Sequence, residues 1–515
     1  MNQLHFPILS IILWLPTVGA LLLLFMPRER TDLQRAGALG FSGLTFLISV
    51  VLPFIFQKTP LQEEVGLPVR QFVEQIPWIP SWGINYLIAV DGISLWMVLL
   101  TTFITPIALL SAWEAIQDQV LSFQILLLLL ETAMLGVFLA QDMFLFYIFW
   151  EFSLIPMALL IGIWGSGNRV YAAVKFFLYT FAGSVLMLLA IIALFILHRN
   201  AIALKNPGFV GTFDLYQIAM DLKKGLIPLD TTTARLLFGA FFLAFAIKVP
   251  LWPFHTWLPD AHVEAPTAGS IVLAGVLLKL GTYGLVRFNL ILFPEVSRWA
   301  SPAIAILAVI GILYGAAVAY AQTDMKKLVA YSSVSHMGFV VLGIFALNPI
   351  GIGGAILQMV NHGLSTGALF LIVGIIYERR HTRALADFGG LWSVMPIYGG
   401  LTLIMVLSSA GLPGLNGFIG EFTIMQGAFN SRDLGWPFVF FASLGVILAA
   451  VYLLRMFRAT FMGEVTIAEN QNLRDLNGRE LALLLALLIP IVTIGLYPNL
   501  LFASMQSSVS AIPSL

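Results

Sequence analysis

The feature that most constrains this chain is a succession of apolar runs, each about 20 residues long, separated by polar connections. A bilayer-spanning helix needs about 20 mostly apolar residues, and a soluble core cannot hide so many such runs. They fall at 6–26, 36–56, 93–113, 120–140, 142–164, 171–196 and 234–256, then at 267–291, 301–322, 327–347, 352–377, 394–428, 437–461 and 480–503. The sequence therefore predicts an all-α polytopic membrane protein of about fourteen transmembrane helices, with the lipid bilayer as its first partner. Composition agrees, with 59% hydrophobic and 10% charged residues, against about 25% charged in soluble domains. Basic and acidic residues number 26 each, so no charge excess suits nucleic acid. The absence of cysteine excludes disulfides, thiolate zinc sites and Cys-ligated iron–sulfur clusters on this chain.

Along the chain, three N-terminal helices fill 1–113. Five spans follow in 120–291, five more in 301–461, and a last helix at 480–503. The longest connections are 57–92 and 197–233, and the second, which mixes Gly, Pro, Lys and Asp, reads as a surface loop. Arg28, Arg30, Lys326, Lys327, Arg379, Arg380 and Arg383 all fall on one side of this arrangement. By the positive-inside rule that side is cytoplasmic and the termini lie opposite it. Two spans, the seventh and the twelfth, are interrupted. One carries Lys248-Val-Pro-Leu-Trp-Pro-Phe-His255 and the other Ser409-Ala-Gly-Leu-Pro-Gly-Leu-Asn416. Proline removes an amide donor, and in hydrocarbon the freed carbonyls must find protein or water. The breaks are five spans apart, so the two five-helix units are expected to be inverted repeats, each with a broken helix.

Ionisable residues stand inside these spans: Glu131, Glu151, Lys248, Lys279, His336, His362 and Glu421. A charge at the bilayer centre costs roughly 2.5–3.5 kcal/mol, so five facing lipid would cost on the order of 15 kcal/mol, as much as a typical fold's whole net stability. They must face one another, water or the bundle interior. A carboxylate and a lysine that shift each other's proton affinity, with histidines between, are the parts of a proton relay. Plainer readings exist for some. Glu131, placed near a helix start, could simply bond a neighbouring helix, and His336 and His362 could be hydrogen-bonded packing residues. Lys248, Lys279 and Glu151 have no such cheap explanation. His255, Asp260 and His262 follow the first break near the cytoplasmic surface, where they could admit protons or merely cap a helix. No phosphate loop, cofactor-binding fingerprint or metal-ligand set stands out.

Three motifs go further. They are KVPLWPFHTWLPDAH from Lys248 to His262, followed by Ala265-Pro266-Thr267; AGVLLKLGTYGLVR from Ala274 to Arg287; and DMKKLVAYSSVSH from Asp324 to His336. Together with the number of spans they resemble the antiporter-like membrane subunits of respiratory complex I, the proton-translocating NADH:quinone oxidoreductases. Glu421, where sister subunits carry lysine, makes the chain most similar to the chain 4, or subunit M, family, in its bacterial form. The resemblance implies a relay in which Glu151 pairs with Lys248, Lys279 is the central amine, His336 and His362 bridge onward, and Glu421 releases protons. It implies a bacterial inner-membrane location and neighbouring antiporter-like subunits as partners. NADH, FMN, iron–sulfur clusters and quinone would sit on other subunits. Multi-subunit cation/proton antiporters and membrane-bound hydrogenases share these features and form the alternative. An independent solute permease would need a substrate pocket, and a purely structural subunit would not carry so many buried charges.

Overall fold

Apolar all-round helices with aspartate at their starts dictate the architecture. The computed structural model describes residues 6–27, 29–58 and 67–512, so Arg28 of the orientation argument lies outside the described residues. In chain order the elements are α1 (Ile8–Leu23), α2 (Thr31–Ile55), β1 (Gln71–Ile79), β2 (Ile84–Val90), α3 (Ser94–Ser111), α4 (Val120–Leu139), α5 (Met143–Trp164), α6 (Arg169–Ala203) and α7 (Leu215–Lys223). Then come α8 (Thr231–Lys248), α9 (Trp257–Glu264), α10 (Thr267–Leu290), α11 (Pro294–Ala321), α12 (Met325–Ile344) and α13 (Pro349–Arg380). The chain continues through α14 (Pro396–Ser409), α15 (Asn416–Phe429), α16 (Trp436–Phe461), α17 (Gly478–Leu496) and α18 (Asn499–Ala511). Twelve of the described helices are long and apolar enough to cross a membrane, and the shorter apolar α1 and α14 stand where the first and twelfth spans are expected. Asp142, Asp214, Asp230 and Asp324 each cap a helix by accepting from its first free amides.

The interior is set by the helices that carry the polar residues. The apolar stretches of α10 and α13 are wholly buried, whereas those of α2 and α16 are only 28% buried and form the periphery. Glycines let the central helices touch: a Cβ on Gly363 of α13 would lie 2.8 Å from the Gly275 carbonyl of α10. Helix α10 is not uniform. Wider π turns at Leu273–Leu277 and Leu285–Leu290 flank Lys279, and such turns free backbone carbonyls for other partners.

Three expectations need correction. The connection 57–92 holds an antiparallel hairpin, β1–β2, so the fold is mostly but not purely helical. Pro77 and two register irregularities break the strand pattern that would have revealed it. The loop 197–233 contains α7, capped by Asp214. The last helix, expected over 480–503, stops at Leu496, because Pro498 has no amide to continue it, and α18 starts afresh. The hairpin end of the molecule is clasped by a buried ion pair, Arg287–Asp91 at 2.5 Å, with Tyr216 of α7 against both.

Candidate functional site

The two breaks create the site. At the first, α8 ends on Lys248 and the chain turns through Pro250 and Pro253 into α9. The carbonyl freed at Ile247 accepts the indole N–H of Trp257 at 2.8 Å. Lys248 is fully buried, and its ammonium has no hydrogen-bond partner. It sits 5.5 Å from the Trp150 ring centre and 5.3 Å from that of Phe176, where the ring faces attract a cation. Glu151, half-buried on α5, lies within electrostatic reach of Lys248 and beside the hydroxyls of Tyr147 and Ser184. One of its oxygens has no partner.

At the second break, α14 gives way to α15 through Gly411 and Gly414, both with positive φ. Asn416 holds this break: its side-chain oxygen accepts from the Ser408 hydroxyl at 2.6 Å, the Ser365 hydroxyl at 3.2 Å and the Gly417 amide at 2.9 Å. Its own carbonyl accepts from Asn361 at 2.7 Å. Glu421 follows on α15, buried, and accepts from His336 Nδ1 at 2.7 Å and from the Gln358 amide at 3.2 Å.

Lys279 joins the two halves. Its Nζ donates to the Ala274 carbonyl in the first π turn and to His362 Nδ1 at 2.7 Å. The His362 ring centre is 6.0 Å from that of His336. Lys279, His362, His336 and Glu421 thus form one buried series. Beside it lies a small cavity lined by both histidines, Asn361, Ser365, Ser408 and Ser409, with about 10 Å³ of free space. That is roughly what one water needs. His362 Nε2, Asn361 Oδ1 and Ser409 Oγ point no hydrogen bond at protein, the condition in which buried water serves as the partner. An amine, two imidazoles and a carboxylate in sequence can pass a proton by alternately donating and accepting.

The remaining predicted residues separate. Asp260 is held by Lys175 at 2.7 Å. The buried His255 ring packs edge-on against Tyr314. His262, expected near the surface, is fully buried, because α9 packs against α6 and α12 and its His262 ring stacks on Phe370 of α13 at 4.4 Å between centres. Glu131, expected near a helix start, is fully buried in the middle of α4 beside Ser42 of α2, away from the series. The sequence reading missed Gln358, Asn361 and Asn416. The signal was present: Gln358, Asn361, His362, Ser365 and Thr366 repeat at helical spacing on one face of an otherwise apolar α13.

The fold and site define a multi-span membrane protein with two broken helices and a buried line of ionisable side chains between them. Residues 140–449 match the model of the family described as NADH:quinone oxidoreductase/Mrp antiporter, transmembrane. NADH-quinone oxidoreductase subunit M of Rhodobacter capsulatus is 44% identical over 504 residues, 96% of this chain and 94% of that one. NADH-ubiquinone oxidoreductase chain 4 of Arabidopsis thaliana is 42% identical over 505 residues, 98% of this chain and 96% of that one. A chain of respiratory complex I from Thermus thermophilus with bound NADH superposes with a TM-score of 0.83 at 32% identity, covering 98% of this chain and 99% of that one. The chain belongs to the NADH:quinone oxidoreductase/Mrp antiporter family, in its subunit M (chain 4) branch.

Proposed function

We propose that this chain is a proton-translocating membrane-arm subunit of NADH:quinone oxidoreductase. Its neighbours are other antiporter-like subunits, and NADH, FMN, iron–sulfur clusters and quinone sit on partner subunits. The membrane is the bacterial inner membrane, with the termini on the non-cytoplasmic side. Spans 120–291 and 301–461 act as two inverted five-helix repeats, each contributing one broken helix. The observation that carries the pumping reading is the hydrogen-bonded series in which Lys279 meets His362 at 2.7 Å and His336 meets Glu421 at 2.7 Å. In the mechanism, a redox-driven electrostatic change alters the Glu151–Lys248 pair. Lys279 then exchanges its proton through His362 and His336, and Glu421 releases it. Relatives named for the NADH enzyme at 42–44% identity favour it over the cation/proton antiporter and hydrogenase alternatives.

The test is NADH-driven proton uptake in membranes carrying K248A or E151Q. Each is expected to lose most pumping while the complex remains assembled. Wild-type coupled turnover in both would remove the relay. Affinity capture of the tagged chain in mild detergent checks the assembly: flavin- and iron–sulfur-bearing NADH dehydrogenase subunits should follow it, and hydrogenase or antiporter subunits alone would overturn the NADH assignment.

A further inference from the structure

The Arg287–Asp91 pair stands in a second polar line, apart from the series described above. The line begins at the face read as non-cytoplasmic. There Arg70, 24% exposed, bonds Asp214 at 3.0 Å and lies 4.5 Å from the centre of the Tyr216 ring. The Tyr216 hydroxyl donates to Asp91 at 3.4 Å and accepts from Arg287 at 3.3 Å. Arg287 closes on Asp91 at 2.5 Å, both of them buried, and its guanidinium stands 5.0 Å from the centre of the Tyr283 ring. Lys279, Tyr283 and Arg287 follow one another along a single face of α10. Tyr283 is thus about one turn outward from Lys279, and Arg287 about 12 Å along the helix from it. Polar side chains therefore run from the outer surface to within one turn of the central amine of the relay.

Such a line would drain a pump, because protons already moved outward could return to Lys279 without passing Glu421. It is interrupted at Arg287. A relay group must take one proton and give another, as an imidazole, a hydroxyl or a water does. A guanidinium has donors and no acceptor, and it keeps its proton in proteins. The groups beside it are occupied as well. Asp91 Oδ1 accepts from the amides of Ile93 at 2.9 Å and Ser94 at 3.0 Å, and the Tyr283 hydroxyl commits its proton to the Phe138 carbonyl at 3.0 Å. A fixed arginine is also what water-conducting pores use to turn protons back. Building on the pumping reading, we propose that Arg287, locked on Asp91, is a proton insulator. It closes the short route between the outer face and Lys279, so that protons leave Lys279 outward only through His362 and the gradient does not return through this end of α10.

The experiment imposes a pH gradient on liposomes containing the whole complex, without NADH and with the voltage clamped by a potassium ionophore, and follows its decay. Arg287→Lys keeps the cation and so the ion pair, but a buried ammonium gives up its proton where a guanidinium does not. A merely structural clasp would tolerate it. The insulator predicts a gradient that decays severalfold faster than in wild type, and NADH-driven uptake that reaches a lower plateau while NADH oxidation continues. Adding K279A to R287K should restore wild-type tightness, because the leak runs through that amine. Assembled R287K as tight as wild type would overturn the insulator, and so would a leak that persists when K279A is added. D91N/R287A covers the case in which R287K fails to assemble: it leaves no unpaired buried charge and makes room for water, and the same two outcomes decide. Wild-type NADH-driven uptake in K279A alone would overturn the pumping reading and the insulator with it. Loss of uptake in K279A beside a tight R287K would overturn the insulator alone.

Discussion

The two broken helices solve the same backbone problem in opposite ways. At the first, a single indole N–H satisfies the freed Ile247 carbonyl, and the buried lysine beside it, Lys248, is left with no hydrogen bond among aromatic rings. At the second, Asn416 gathers three donors on one oxygen, and the buried carboxylate, Glu421, is held by His336 and Gln358. A loosely held charge can answer a small change in field, because moving it breaks nothing. A charge fixed by two donors cannot move cheaply, but it offers a defined proton acceptor. The difference suits a device that senses at one end and discharges at the other.

The comparison breaks first at Asn416. Asn416→Leu strands the Gly417 amide and one hydroxyl proton of the Ser408–Ser365 pair, whose hydroxyls keep each other at 2.7 Å, and each orphaned group costs about 1–3 kcal/mol. The expected loss is about 4 kcal/mol, read as a collapse of assembled subunit and of thermal midpoint in detergent. A variant that melts like wild type would mean that this break is not clamped as described.

Removing the two charges should then separate the halves. Glu421→Leu orphans His336 and Gln358 and should cost about 3 kcal/mol. Lys248→Met replaces an unbonded buried cation with an apolar side chain of similar length, a change that is often neutral or stabilising. Both variants should stop pumping, yet only the first should lower the melting temperature. Equal destabilisation by both would erase the contrast between a loose charge and a fixed one.

What the sequence disclosed follows from what kinds of interaction are local. Long apolar runs and proline breaks are local, so the spans and both interruptions were legible. A charge in a span is costly wherever it stands, so Lys279, His336, His362 and Glu421 could be named before their contacts were known. Partnerships are not local. Nothing in the sequence pairs Arg287 with Asp91. Nor does it tell that Asp260 is occupied by Lys175 while His262 stacks on Phe370. The hairpin was hidden because its strands are short, bulged and interrupted by proline.

The frame of the first region should also be pH-sensitive. Asp142 caps α5, the helix that carries Glu151, and lies between the α4 and α5 spans. Burial raises its carboxyl from 3.8 to about 6, against three backbone amides that pull it down. The folded state therefore prefers the protonated acid. The stability this contributes is full below about pH 4 and is lost as pH rises through about 6. D142N, which keeps a capping oxygen, should flatten the fall in melting temperature across that window, a difference of about 3 kcal/mol. Parallel curves for D142N and wild type would show that the carboxyl titrates as an ordinary surface acid.

The smallest effect tests the first break itself. Trp257→Phe keeps an aromatic ring against Phe176, to which Trp257 already packs at 5.4 Å between centres, but deletes the indole donor. Only the Ile247 carbonyl is orphaned, a single acceptor where Asn416→Leu strands more than one donor. The expected cost is about 1 kcal/mol, visible as a slightly lower melting temperature with pumping nearly intact. A loss as large as that of Asn416→Leu would mean that the first break is held as tightly as the second. The freedom of Lys248 would then have to come from its own side chain rather than from the loose backbone beneath it.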